Sequence, residues 1–289
     1  MSFLWFVSAL AALIVLAVWR WRDGRGVKTA WQDLAQRVGA PAGVFDPAKI
    51  EGLPEPARRF FLFTLARGAP LPAAVEIEMR GEIGFGDKES PKYTPMKASE
   101  ILAPPHGLVW RLRAGAISGS DGATPATSWT RFWVLGLIPV VRAGGDTDHR
   151  RSAFGRVVAE GAFWAPASLL PGPHVQWEPI DADRARAHVT YAGLAQAVDI
   201  RVAADGRPTQ VVIQRWSKEN ADRIYRTQSF GGYLSEFREF EGNRLPTRVE
   251  GGNLIGTEHY FPFFKARVTD LRILGAAPPP EALADQQAD

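Results

Sequence analysis

Thiol chemistry is closed to this chain, because its 289 residues include no Cys. Thiol catalysis, disulfides, zinc–thiolate sites and iron–sulfur clusters are thereby excluded. The five histidines, His106, His149, His174, His188 and His259, stand far apart. None forms the His-Glu-x-x-His spacing that places two imidazoles on one helix face for a metal. No metal and no cofactor is expected. Ser118-Gly119-Ser120-Asp121-Gly122 approaches a nucleophile elbow. It lacks the first Gly and runs into a Thr/Pro loop, so the strained strand-to-helix turn that the mechanism needs is missing. It reads as a flexible loop. Gly84-Phe85-Gly86 reads as a hairpin turn, without the helix N-terminus that would cradle a phosphate. The pairs Glu76/Glu78 and Asp181/Asp183 read as solvated. Glu160 stands apart from these, inside the apolar run from Val157 to Trp164. Burial there would raise its pKa unless an Arg pairs with it. Its two readings are a salt bridge to an Arg of a sheet and, as the alternative, a hydrolytic acid. Arg131, between Trp129 and Trp133, poses the same question. No catalytic residue is assigned, and the protein reads as non-enzymatic.

The elements that must position these side chains follow from hydropathy period. From residue 73 the pattern alternates: Val75, Ile77 and Met79 against Glu76, Glu78 and Arg80. That is a strand with one wet face. Strands are predicted at Tyr93–Leu102, Leu108–Arg113 and Trp129–Leu137, and then at about 174–180, 184–191, 196–203, 209–217, 223–240, 244–254 and 260–274. Short Asp-, Asn- and Gly-rich turns join them, which makes an antiparallel meander. Residues 132–140 are apolar on both faces, as in a strand buried twice or facing a ligand or lipid. Two helices interrupt the pattern. One spans 54–67, with Pro at its start and Gly68 after it. The other spans 149–164, capped by Asp146, Thr147 or Asp148. A sheet of ten or eleven strands must twist and curl. The expected fold class is therefore mainly β with α (α+β): a strongly curved antiparallel sheet, or half-open barrel, with both helices on its concave side. Trp110, Arg131, Trp133, Leu135, Glu160 and Trp164 are the candidate ligand-binding residues of that surface.

Phe3 to Trp19 holds a single polar side chain, Ser8. As a helix this stretch is near the lower limit for crossing a bilayer core. Trp5 and Trp19 stand where aromatics prefer the interface. No basic residue precedes the run and no small-x-small cleavage site follows, so it reads as an anchor and not as a signal peptide. Leu4, Trp5, Leu13, Trp19, Arg20 and Arg22 are its candidate membrane residues. Residues 1–20 are thus assigned to a transmembrane anchor and 21–52 to a juxtamembrane connector. The connector includes a short helix through Trp31, Leu34, Ala35 and Val38, stopped by Gly39, Pro41 and Gly43. Residues 53–274 form one sheet domain, and 275–289 a disordered tail. The net charge is +3. All of that surplus lies in residues 1–60, beside the apolar segment. A nucleic-acid binder would carry a basic field on its folded domain instead, so no nucleic acid is expected and a membrane surface is. Arg20, Arg22, Arg25 and Lys28 all follow the apolar run, which favours a single-pass inner-membrane protein with its domain in the bacterial cytoplasm.

Three segments carry a resemblance. They are Leu53-Pro54-Glu55-Pro56 to Arg59 with Gly68-Ala69-Pro70, then Leu135-Gly136-Leu137-Ile138-Pro139-Val140, then Glu160 to Trp164 with Pro166, Leu169-Leu170-Pro171 and Trp177-Glu178. Together they resemble an uncharacterised bacterial family of unknown function, over about residues 50–274. That family brings no catalytic residues to carry over. In topology the expected fold is similar to lipoprotein-carrier half-barrels of the LolA/LolB type. That likeness implies acyl-chain binding in the half-barrel and a periplasmic setting, against the charge count. The leading expectation is a membrane-anchored domain binding a membrane lipid or other apolar ligand in the concave sheet. The alternatives are a scaffold that holds a protein partner and a hydrolase using Glu160 or a His.

Overall fold

The computed structural model describes residues 2–36 and 43–275. Val38, Gly39, Pro41 and the tail from 276 onward lie outside the described residues. The described chain begins with α1 (Ser2–Gln36). No break separates the apolar stretch from Trp31, Leu34 and Ala35, so the short helix expected in the connector is the last part of α1. Then come a 3-10 turn (Pro47–Ile50) and α2 (Glu55–Thr64). α2 stops at Thr64 and not at residue 67. Leu65 leaves the helix to bridge Asn243, and the Ala66 N–H donates to the Gly242 carbonyl at 2.9 Å.

The first half of the sheet is β1 (Ala74–Phe85), β2 (Lys92–Ala103), β3 (Gly107–Ala114), β4 (Ile117–Ala123), β5 (Ser128–Val134) and β6 (Ile138–Gly144). After α3 (Thr147–Trp164) and a 3-10 turn (Pro166–Leu169) the second half follows. It comprises β7 (Val175–Asp181), β8 (Arg184–Tyr191), β9 (Leu194–Val202), β10 (Pro208–Ser217), β11 (Arg226–Phe240), β12 (Asn243–Asn253) and β13 (Phe261–Leu274). All thirteen strands form one antiparallel sheet in the order β6-β5-β4-β3-β2-β1-β13-β12-β11-β10-β9-β8-β7. Each half is a meander, and the halves join where β1 pairs with β13. The sheet stays open: β6 and β7 are its two free edges.

Two strands exceed the expected number. The Ser118–Gly122 segment is strand β4 and not a loop. A Cβ at Gly122 would stand 2.4 Å from the Trp129 ring, and one at Gly119 would stand 2.2 Å from the Arg131 carbonyl. Glycine there lets two aromatic neighbours lie against the backbone, and it also hides the strand from a hydropathy reading. The single strand expected over 129–140 is a hairpin. Leu135, Gly136 and Leu137 connect β5 to β6, and the Leu137 N–H donates to the Val134 carbonyl at 3.1 Å across Leu135 (φ 52°) and Gly136 (φ 70°). Positive φ at both central residues is the type I′ geometry that matches strand twist.

The concave face is covered by α2 and α3. Asp146 caps α3 by accepting from the His149 N–H at 2.7 Å. α3 crosses the arc, meeting β2 to β6 on one side and β9, β10 and β12 on the other. Its buried residues lie all round it, including Phe154, Val157, Val158, Ala162 and Trp164. They join Phe60, Phe61, Ile77, Met79, Leu102, Ile200 and Ile213 in the main core. The second half of α1 covers the opposite face. Val27, Ala30 and Leu34 pack there with Ala74, Ile101, Val109 and Trp129. Glu76 is not merely solvated: its carboxylate accepts from Trp31 Nε1 at 2.6 Å and pairs with Arg272.

Candidate functional site

On the concave side, inward positions of β2 alternate as Met96, Ala98, Glu100 and Leu102. Glu100 therefore enters the core, where it is 1% exposed. α3 brings Arg156 and Glu160, one turn apart, over β2 and β4. Arg156 is the hub. Its Nη1 meets Asp121 Oδ2 at 2.8 Å, its Nη2 meets Glu100 Oε2 at 3.6 Å, and its Nε bonds to Glu160. Its guanidinium also stacks over the Trp110 ring at 5.1 Å. Glu160 thus pairs with an Arg of its own helix and not, as expected, with one of the sheet.

Burial pushes the Glu100 carboxyl well above the usual carboxylate range, and the nearby charge of Glu160 pushes it further. Glu100 Oε1 and Oε2 and Glu160 Oε2 have no other hydrogen-bond partner. A proton held on Glu100 and donated to Glu160 satisfies one oxygen of each carboxyl and leaves the second Glu100 oxygen without a hydrogen-bond partner among the described residues. Arg156 responds in the opposite sense. Burial works against its charge, but Glu160, Glu100 and Asp121 outweigh burial and raise its pKa. The network continues through Asp121, which accepts from Thr130 at 2.7 Å, to His149 Nε2 at 3.0 Å from Thr130 and Nδ1 at 2.8 Å from Ser128. Burial lowers the His149 pKa, against the pull of Asp121 and Asp146. Arg156 and neighbouring Arg215 offset Asp121 and Glu160, so with Glu100 protonated the cluster is neutral. A cleft beside α3, lined by His106, Phe154, Tyr191 and Leu194 among others, holds about 20 Å³. That is room for about one water. The chemistry of this side is that of a closed buried network fixing α3 to the sheet.

The outer face is more open. β5 runs against α1, and three contacts step along the two. Trp129 lies in the cluster with Val27 and Ala30, Arg131 pairs with Asp23 at 3.1 Å, and Trp133 meets Trp19 edge-on at 5.7 Å. Arg142 of β6 also grips Asp23, at 2.6 Å, and lies over Trp19 at 4.3 Å. Along α1, where Arg131 of β5 reaches it, lies an open groove of about 580 Å³ lined by Ile14, Val15, Val18, Trp19, Arg22, Asp23 and Arg131. One end is apolar. The other holds two guanidiniums of the lining against one carboxylate, with Arg142 adjoining.

The six candidate ligand residues do not converge. Trp110, Glu160 and Trp164 lie on the concave side, buried or nearly so, and Trp164 Nε1 donates to the Pro246 carbonyl at 3.3 Å. Arg131 and Trp133 face outward against α1. Leu135 is at the hairpin tip, exposed. Glu100, Asp121 and Asp23 were not singled out in the sequence. The period-2 pattern of β2 marks Glu100, and Asp23 is the single carboxylate between Arg20 and Lys28. Among the described residues no group of three His, Asp or Glu is arranged to hold a metal ion.

The sequence matches no curated protein. Its fold is similar to that of a LolA superfamily protein from Nitrosomonas europaea, at 10% identity and a TM-score of 0.41, over 79% of this chain and 94% of that one. It is also similar to a domain assigned to outer membrane lipoprotein sorting from Vibrio parahaemolyticus, at 11% identity and a TM-score of 0.35, over 74% and 91% of the two chains. A DUF1329 family protein from Desulfovibrio piger matches at 9% identity and a TM-score of 0.40, over 89% and 98%. Among sequence families the match is direct: the model of a family of unknown function, DUF6544, covers residues 43–266, from the segment before α2 into β13, and the chain belongs to that family.

Proposed function

We propose that this protein is a membrane-anchored, non-enzymatic domain that binds a lipid where α1 leaves the bilayer. The observation that carries this reading is the groove along α1, whose lining changes from Ile14, Val15 and Val18 to Arg22, Asp23 and Arg131. An acyl chain suits the first part and a headgroup the second. The apolar stretch of α1 supports the anchor. From Trp5 to Trp19 its side chains are exposed, Leu16 being half-buried, over roughly 22 Å of helix, a large part of a bilayer core. The cations that follow it favour a cytoplasmic domain at a bacterial inner membrane. The concave face, the seat expected from sequence, is filled by α3, so a ligand there requires that helix to lift away.

Native mass spectrometry of the full-length protein in detergent, followed by lipid extraction, tests the reading. The expected result is a defined phospholipid on the wild type and weaker retention by Val18→Trp, whose indole takes up part of the apolar end of the groove, with circular dichroism unchanged. A wild type free of lipid, or equal lipid on both proteins, would overturn it.

A further inference from the structure

A free sheet edge in water is a pairing hazard, which soluble proteins blunt with charge or Pro. The two edges here are treated differently. β7 carries Glu178, Pro179 and Asp181, and Glu178 pairs with Arg186 and His188. β6 reads Ile138-Pro139-Val140-Val141 at its start, with Ile138 53% and Val140 51% exposed. The tip of the hairpin is Leu135, 77% exposed. Its left-handed backbone disfavours a branched side chain and is ordinarily filled by Asn, Asp or Gly. β6 too carries a Pro, Pro139, and a cation, Arg142, so its pairing edge is blunted; what folding in water leaves unexplained is the exposed apolar row of Leu135, Ile138 and Val140.

Position supplies the reason. From Arg131 to Trp133 the strand advances about 6.6 Å, and its partner on α1 changes from Asp23 to Trp19, about 6 Å of helix. Beyond Trp133 the strand runs on through Val134 to the hairpin tip, in the direction of the apolar stretch of α1. Cations surround the level of Trp133: Arg20 lies over its ring at 5.6 Å and close enough to Arg113 for their charges to repel. Arg22 and Arg113 have no ion pair among the described residues.

We propose that the β5–β6 hairpin is a second membrane contact, with Leu135, Ile138 and Val140 entering the interfacial layer of an anionic phospholipid bilayer and Arg20, Arg22 and Arg113 meeting its phosphates. This rests on the reading of α1 as an anchor. The hairpin and the helix then grip the bilayer from two points and fix the tilt of the domain.

The chain has no Cys, so single cysteines can be spin-labelled without background. Full-length Leu135→Cys, Leu13→Cys and Asp205→Cys would each be reconstituted into phosphatidylcholine vesicles with and without phosphatidylglycerol. Val140→Cys substitutes for the first should that variant misfold. Depth is read from relaxation by oxygen against a water-soluble nickel chelate. The expected result is a membrane signal at position 13, a shallower one at 135 and an aqueous one at 205, with the signal at 135 falling several-fold without phosphatidylglycerol. An aqueous label at 135 with position 13 in the bilayer would sink the hairpin contact and leave the anchor standing. An aqueous label at 13 would sink the anchor and the hairpin contact with it. Equal depth at 135 in both lipids would overturn the anionic requirement.

Discussion

Glu100 is the residue whose environment departs furthest from water, and its protonation sets a sign for stability. A carboxyl with a folded pKa above its unfolded value of about 4.3 contributes stability fully below that value and loses it as pH rises toward the folded value. Burial and Glu160 raise Glu100 in this way. The wild type is therefore expected to lose melting temperature from about pH 5 upward relative to Glu100→Gln, which keeps the donor without the titration. Parallel melting curves against pH for the two proteins would refute the shared proton. Arg156→Met, which leaves Asp121 and Glu160 without their shared cation beside a protonated Glu100, is expected to cost about 3–5 kcal/mol in denaturant unfolding. Of the four charged residues in these ion pairs the sequence marks one, Glu160. Glu160 stood out because apolar neighbours flank it on both sides. Glu100 did not, because along the chain it sits beside Ser99 and only the strand period turns it inward. The hub, Arg156, is four residues from Glu160 on the same helix, a spacing that the search for a distant partner passed over.

Between elements, the close contacts are made by turns. Gly206, in the β9–β10 turn, has φ 86°, and a Cβ there would stand 2.3 Å from the Arg59 carbonyl of α2. Arg59 returns the contact, donating to the carbonyls of Ala203 at 2.9 Å and Ala182 at 2.6 Å. Gly206→Ala is expected to cost about 2 kcal/mol or more, since the left-handed backbone and the collision both oppose it. Chemical denaturation measures this directly, and a change within about 0.5 kcal/mol would show that the turn yields. Leu135→Asn should act in the opposite direction, stabilising the detergent-solubilised protein by roughly 0.5–1 kcal/mol by relieving the left-handed strain. The order of elements was legible because most strands alternate cleanly and end in polar turns. The exceptions were physical. β4 is built of Ser and Gly so that Trp129 and Phe132 can lie on it, and β5–β6 read as one strand because its turn is made of Leu-Gly-Leu and carries no polar signal.

For the molecule as a whole, Asp23 decides how the domain is held to its first helix. It is 6% exposed and is gripped by guanidiniums from two strands. Asp23→Asn is expected to cost about 2 kcal/mol, less than a fully buried pair, because Arg131 and Arg142 remain about a third exposed. Hydrogen exchange would locate the loss: faster exchange confined to α1 supports the clamp, and unchanged exchange there opposes it. The fold class was legible from the count and curl of strands, whereas the covering of the outer face by α1 was not, since it depends on which side of the sheet the helix returns to. The strand order has one further mechanical meaning. The two rims of the arc, β6 and β7, are consecutive in the chain, and α3 is the segment tied between them. It is strung across the sheet as a cord across a bow, knotted to the β6 rim by Gly144 and Gly145. A tilt of that rim would bear first on the opening turn of α3, and through α3, whose side chains build the main core, on the far side of the sheet.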